Sequence, residues 1–174
     1  MSINISNEIY TLPQNTNPNI KWKNRKLGQI KKIVIHTSLG SAVAKNIARY
    51  HVSPENHVAP GVGTPRICYH FFLEKTGKII QCNEITDLTW HAIGSNTSGV
   101  SVCIGGMFDY ANIKGKDSQP SLDQMNSLKE LLDYLSTLLK IKKSQVFGHG
   151  ELQKNKVGCP GNFLMDFIKI YRNN

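Results

Sequence analysis

The chain has 174 residues, 40% of them apolar and 19% charged, which fits one globular domain of about 100–200 residues and excludes a disordered polypeptide. No stretch approaches the roughly 20 apolar residues of a membrane helix. The net charge of +9 gathers in Lys21–Lys32, with six Lys/Arg, and in Lys140–Lys143 and Lys154–Lys156, a balance that suits a polyanionic partner as well as a plain solvated surface. Met1–Ser6 has no basic segment followed by an apolar one, so no secretory leader is expected and synthesis in the cytoplasm is. Without a leader, Cys68, Cys82, Cys103 and Cys159 read as buried thiols rather than disulfides.

In chain order, residues 1–28 are rich in Asn, Pro and Lys, hold no period, and read as an irregular arm ahead of a domain spanning 29–174. Lys31–Thr37 is a β-branched apolar run that suits a buried strand, and Ser38–Ser41 is a turn offering an N-cap. Val43, Ile47 and Tyr50 recur at helical spacing up to about His51. Residues 53–65, with three prolines and two glycines, form a loop. Ile67–Glu74 and Lys78–Gln81 flank Lys75-Thr76-Gly77 and predict a hairpin. Val100–Ile104 is a second buried strand. Ser121 to Gln124 matches a capping box, and Leu122, Met125, Leu128, Leu132, Leu135 and Leu139 form the stripe of a long helix. A short strand at Gln145–Phe147 and a helix from Asn162 to Tyr171 complete the chain. The sum is an α/β domain, a central mixed β-sheet flanked by helices.

The chemistry gathers in three places. His36 closes the run Ile33-Val34-Ile35, His149 sits in Gly148-His149-Gly150-Glu151, and Cys159 sits in Gly158-Cys159-Pro160-Gly161. Two imidazoles and a thiolate suit Zn²⁺, and three protein ligands with an open fourth position describe a catalytic site. Strand ends let a rigid sheet hold such ligands at one rim. A metal hydrolase follows.

These segments, together with Tyr69-His70-Phe71, Trp90-His91-Ala92 and Gly99–Val102 with Gly105-Gly106, resemble the type 2 N-acetylmuramoyl-L-alanine amidases. The motifs fall in family order across residues 31–171, and Cys103 with Gly105-Gly106 makes the likeness strongest to phage amidase lysozymes. The resemblance implies hydrolysis of the amide between N-acetylmuramic acid and L-alanine of peptidoglycan. It assigns zinc to His36, His149 and Cys159, a catalytic role to Tyr69, and the muropeptide groove to His91 and Asn96. Tyr69 would hydrogen-bond the oxyanion, whereas His70, on the opposite strand face, is read as structural.

One departure concerns a lysine that related phage enzymes place two residues before the cysteine ligand, where this chain has Val157. The interval from His149 to Cys159 is ten residues, longer than the family pattern, so Lys156 is expected to supply the cation, with Lys154 as its rival. The expected setting is a monomeric phage-type endolysin reaching an anionic wall after release, its basic surface aiding contact. A non-catalytic peptidoglycan-recognition module and a wall-targeting toxin are the alternatives. Nucleic acid is not favoured, because no paired Cys-x-x-Cys knuckles are present.

Overall fold

A computed structural model describes residues 3–156 and 158–173. Strand β3 (Lys32–Thr37) lies between β7 (Gly99–Ile104) and β8 (Val146–Gly148), parallel to both. Beyond β7 come β4 (Phe71–Leu73), β5 (Ile79–Gln81) and β1 (Ile5–Asn7), giving a six-stranded sheet of order β1-β5-β4-β7-β3-β8 among the described residues. Only β4 and β5 run antiparallel in it, joined by the predicted hairpin, with Gly77 at φ +79° where a side chain would be strained. The mixed sheet flanked by helices is the architecture the sequence predicts.

Alternation along the strands sends successive side chains to opposite faces. Ile33 and Ile35 of β3, with Val100, Val102 and Ile104 of β7 and Phe71 and Leu73 of β4, form one face. Against it pack Leu128, Leu131, Leu132 and Leu135 of α2 (Leu122–Leu139) and Leu164 and Ile168 of α4 (Asn162–Asn173). The α2 start is the predicted capping box: the Ser121 hydroxyl accepts Gln124 N–H at 3.1 Å, and Gln124 Oε1 accepts Ser121 N–H at 3.0 Å.

The other face carries Phe72, Ile80, Cys82 and Cys103 and is covered by α1 (Ala44–Val52). The helix is the one expected from the spacing of Val43, Ile47 and Tyr50. Ala44, Ala48 and His51 are buried, while Val43 and Tyr50 are 45% and 41% exposed. Small alanines let the helix lie close on the sheet, while Tyr50 lines a cleft and Val43 is left exposed. The predicted serine cap is replaced: Val43 is the N-cap, and Glu74 Oε1 accepts Ala44 N–H at 3.0 Å.

The segment expected to be an irregular arm contributes two strands. β1 pairs in parallel with β5, and β2 (Lys23–Asn24) pairs with β6 (Asp87–Leu88). Their partners lie far along the chain, and two or three residues are too few to show a period. From the same segment Trp22 Nε1 donates to Asn83 Oδ1 at 2.8 Å, and the Arg25 guanidinium is buried.

Candidate metal centre and its cleft

β3 and β8 are parallel neighbours, so their carboxyl ends open on the same rim, the usual place for a site in such sheets. His36 is the penultimate residue of β3, on the face opposite Ile33 and Ile35, in register with Cys103. His149 begins α3 (His149–Leu152), a single turn directly after β8. Its start is anchored by Glu151, whose Oε2 accepts Gly148 N–H at 2.8 Å while Arg172 of α4 grips both carboxylate oxygens. Cys159 is placed by a tight return: its N–H donates to Lys156 O at 2.9 Å and its carbonyl accepts Gly150 N–H at 2.8 Å.

These elements bring His36, His149 and Cys159 together, one donor atom from each lying within 4.8 Å of the others, all three buried. Burial holds His36 well below the ordinary histidine range, helped by neighbouring His149 and His91. His149 is lowered by burial and then by Lys156. Both imidazoles therefore keep a lone pair to offer at neutral pH. Burial pushes the Cys159 thiol up to about 12, against an opposing pull from Thr37 N–H, 3.5 Å from Sγ, and from Lys156. A dication would reverse that balance, because a coordinating thiol is deprotonated outright. Two neutral imidazoles and a sulfur that already accepts an N–H fit Zn²⁺, with a fourth position left for water or substrate.

The trio lines a cleft of about 470 Å³ whose walls include Leu39, Tyr50, Trp90, Ile93 and Lys156. Tyr69 is half-buried beside it, its ring 5.1 Å from that of His36 and 5.5 Å from that of His51. Burial, then the nearby thiols, raises the phenol well above its ordinary value, so it stays a donor. The ladder of β4 starts only at Phe71, so Tyr69 precedes the strand instead of lying within it. His70 is fully buried and bonded to Ser101 and to Asp87 O, the structural role expected of it. Lys156 lines the cleft at the end of a short 3-10 turn, whereas Lys154, in the same turn, is exposed and outside the lining. Val157 lies outside the described residues.

His91 and Asn96 also line the cleft, His91 with both ring nitrogens engaged by the protein and Asn96 with its Oδ1 engaged. His91 Nδ1 is 3.1 Å from His36 Nε2, and its Nε2 is 3.2 Å from Gly99 O. Asn96 Oδ1 accepts Ala92 N–H at 2.7 Å.

Two residues that sequence reasoning passed over complete the site. Gln153 Oε1 lies 3.1 Å from His149 Nε2 and accepts Ile93 N–H at 3.0 Å, bridging the two sides of the cleft. Its position four residues after His149, one helical turn, is a signal the sequence did offer. Arg25 Nη1 donates to the carbonyls of Asn96 (2.6 Å), Thr97 (3.1 Å) and Gly99 (2.6 Å), and Nη2 donates to Ile85 O (3.0 Å). Nothing distinguishes it in sequence from the lysines around it.

A mixed sheet with two histidines and a cysteine gathered at one rim, beneath an open cleft, defines a protein able to hold one metal ion where a substrate can reach it. The family model described as N-acetylmuramoyl-L-alanine amidase matches residues 26–162, more than half of the chain. The chain belongs to that family. It is 31% identical over 104 residues to the 1,6-anhydro-N-acetylmuramyl-L-alanine amidase AmpD of Haemophilus influenzae. That match takes in 57% of this chain and 54% of the relative, so the chain spans about half the length of the curated relative it matches. Among solved structures it is similar to the N-acetylmuramoyl-L-alanine amidase LysC of Clostridium intestinale, with TM-score 0.71 and 22% identity over 99% of both chains. It is likewise similar to a Drosophila peptidoglycan recognition protein, PGRP-SD, with TM-score 0.72 and 16% identity over 97% of this chain and 94% of the other. These two likenesses concern the fold.

Proposed function

We propose that this chain is a zinc-dependent N-acetylmuramoyl-L-alanine amidase that hydrolyses the amide between N-acetylmuramic acid and L-alanine in peptidoglycan, acting as a phage-type endolysin. The observation that carries the reading is the buried set His36, His149 and Cys159, with donor atoms within 4.8 Å of one another at the wall of an open cleft. His36, His149 and Cys159 would hold Zn²⁺, which would supply a Lewis acid for the amide carbonyl and lower the pKa of a water towards ~7. The protein's own groups do the rest. Tyr69, kept protonated by burial, donates to the oxygen that becomes negative as the carbonyl turns tetrahedral. Lys156 brings a positive charge from the opposite segment, where it already depresses His149. Trp90 and Ile93, 41% and 77% exposed, offer apolar surface against which a glycopeptide can displace water.

Retention of Cys159 with both histidines supports catalysis over a recognition module that binds muropeptides without cutting them. The surplus of basic residues gives the enzyme an attraction to an anionic wall. The deciding experiment is mass analysis of a peptidoglycan digest made by the zinc-loaded protein. Stem peptides with a free L-alanine amine and uncut glycan strands are expected, and new reducing sugar ends would refute the assignment.

A further inference from the structure

We propose that His91 and Gln153 are positioning residues that fix the tautomers of His36 and His149, so that both histidines present Nδ1 to a metal held with Cys159. The inference rests on the zinc reading above and goes beyond it by naming the ligating atoms and what sets them. It also moves His91 from the substrate groove, where the sequence resemblance puts it, to the support of a ligand.

The argument starts from backbone groups that cannot exchange roles. A carbonyl only accepts, so the contact between His91 Nε2 and Gly99 O at 3.2 Å places a proton on Nε2. The ring is buried with no carboxylate among its partners, and a neutral imidazole carries one proton only, so Nδ1 is left bare. His36 Nε2, 3.1 Å from this bare nitrogen, can only donate to it. The His36 proton is thereby held on Nε2, and its Nδ1 keeps the lone pair.

The second chain runs the other way and ends alike. Ile93 N–H only donates, so the Gln153 atom 3.0 Å from it is the oxygen, and the amide orientation is settled. Gln153 Nε2, pointing the other way, donates to Asn155 Oδ1 at 2.9 Å. The same oxygen lies 3.1 Å from His149 Nε2, which must donate, and again Nδ1 is left for the metal.

The Gly99 anchor is itself fixed. Its carbonyl also accepts from Arg25 Nη1 at 2.6 Å, and a Cβ on residue 99 would lie 3.1 Å from His91 Cε1 and 2.9 Å from Ser95 O. Glycine lets the ring come this close. His91, 6% exposed and engaged at both nitrogens, has no donor or acceptor left for a ligand.

Long-range ¹H–¹⁵N correlation of the imidazoles, in chelator-stripped and zinc-reloaded protein, tests the proposal. Stripped protein should show N–H at Nε2 for His36, His91 and His149, and zinc should move the Nδ1 signals of His36 and His149 alone. An Nδ1–H tautomer in either ligand, or zinc on Nε2, would overturn it. Zinc failing to bind at all would instead remove the zinc reading, while the tautomers of the stripped protein still judge the two chains.

Zinc competition with a chelator gives the second measurement. His91→Leu and Gln153→Leu should bind zinc about 10–100-fold more weakly, the usual effect of losing such a partner. His91→Asn and Gln153→Glu, which keep an oxygen where Nδ1 or Oε1 stood, should recover most of that loss. Affinities equal to the starting protein in both leucine variants would refute the positioning role.

Discussion

The two faces of the central sheet are built from different chemistry. On the side of α2 and α4 the strands present Ile33, Ile35, Val100, Val102, Ile104, Phe71 and Leu73 to leucines and isoleucines. On the side of α1 they mix apolar Val34, Phe72 and Ile80 with His36, Ser101 and Cys103, and the buried residues nearby include His51, His70, His91, Asn83 and Arg25. The first face needs only shape and gains by excluding water. The second buries polar groups that each need a partner, and it is there that the metal-ligand trio sits. The contrast teaches that stability and chemistry are separable here, within one strand, by the alternation of odd and even residues.

Cys159→Ser should break the separation most visibly if it is wrong. Zinc content and amide hydrolysis should both vanish while the unfolding midpoint of the metal-free protein stays near its original value, since the aliphatic face has its own core. Retained zinc and turnover would take Cys159 out of the site.

Next in size come the two groups proposed to meet the oxyanion. Tyr69→Phe and Lys156→Ala should each lower turnover by about 10²–10³ with zinc content kept, whereas Lys154→Ala, on the exposed side of the same turn, should not. Near-normal turnover for Lys156→Ala beside a crippled Tyr69→Phe would leave the phenol and the metal to carry the charge alone.

The aliphatic face should give the opposite pattern. Leu131, fully buried against the sheet, is far from the ligands in role, and Leu131→Ala should cost about 2–5 kcal/mol in denaturant unfolding with turnover of the folded fraction unchanged. A fall in turnover without a fall in stability would show that the faces communicate.

The smallest effect concerns acid. His51 Nδ1 accepts Cys68 N–H at 3.0 Å, and burial lowers its titration from 6.5 to about 4. The unfolded chain takes up the proton first as pH falls, so the stability present above pH 6.5 should be lost towards pH 4, on the order of 3 kcal/mol. His51→Asn keeps an acceptor and does not titrate, so its urea midpoint should fall less between pH 7 and 4.5. Equal acid slopes in the two proteins would place the sensitivity elsewhere.

Much of this was legible in the sequence, and unevenly so. β3, β7 and α2 carry long apolar patterns, and the sequence reading of each matches the structure to within a residue or so. The trio His36, His149 and Cys159 stood out because ligand residue types follow predicted strands or precede a helix. α1 was legible as a helix from the spacing of Val43, Ile47 and Tyr50, but that spacing did not show that Ala44, Ala48 and His51 are the residues it buries. β1, β2 and β6 were hidden, since strands of two or three residues are defined by distant partners and not by their own composition. Gln153 and Arg25 were invisible as functional residues because a glutamine and an arginine in polar segments acquire meaning only from the carbonyls and N–H groups that folding brings to them.

Arg25 also bears on where this domain can be cut. The family match begins at residue 26 and ends at 162, so trimming the chain to those limits would discard the guanidinium at one end and the buried Leu164, Ile168 and Tyr171 at the other. Four carbonyls, those of Ile85, Asn96, Thr97 and Gly99, would lose a charged donor, although Gly99 O would keep His91 Nε2. The stretch between Asn96 and Gly99 would be the first to loosen, and with it the carbonyl on which His91 leans. The border of recognisable likeness and the border of the folding unit are different lines in this molecule.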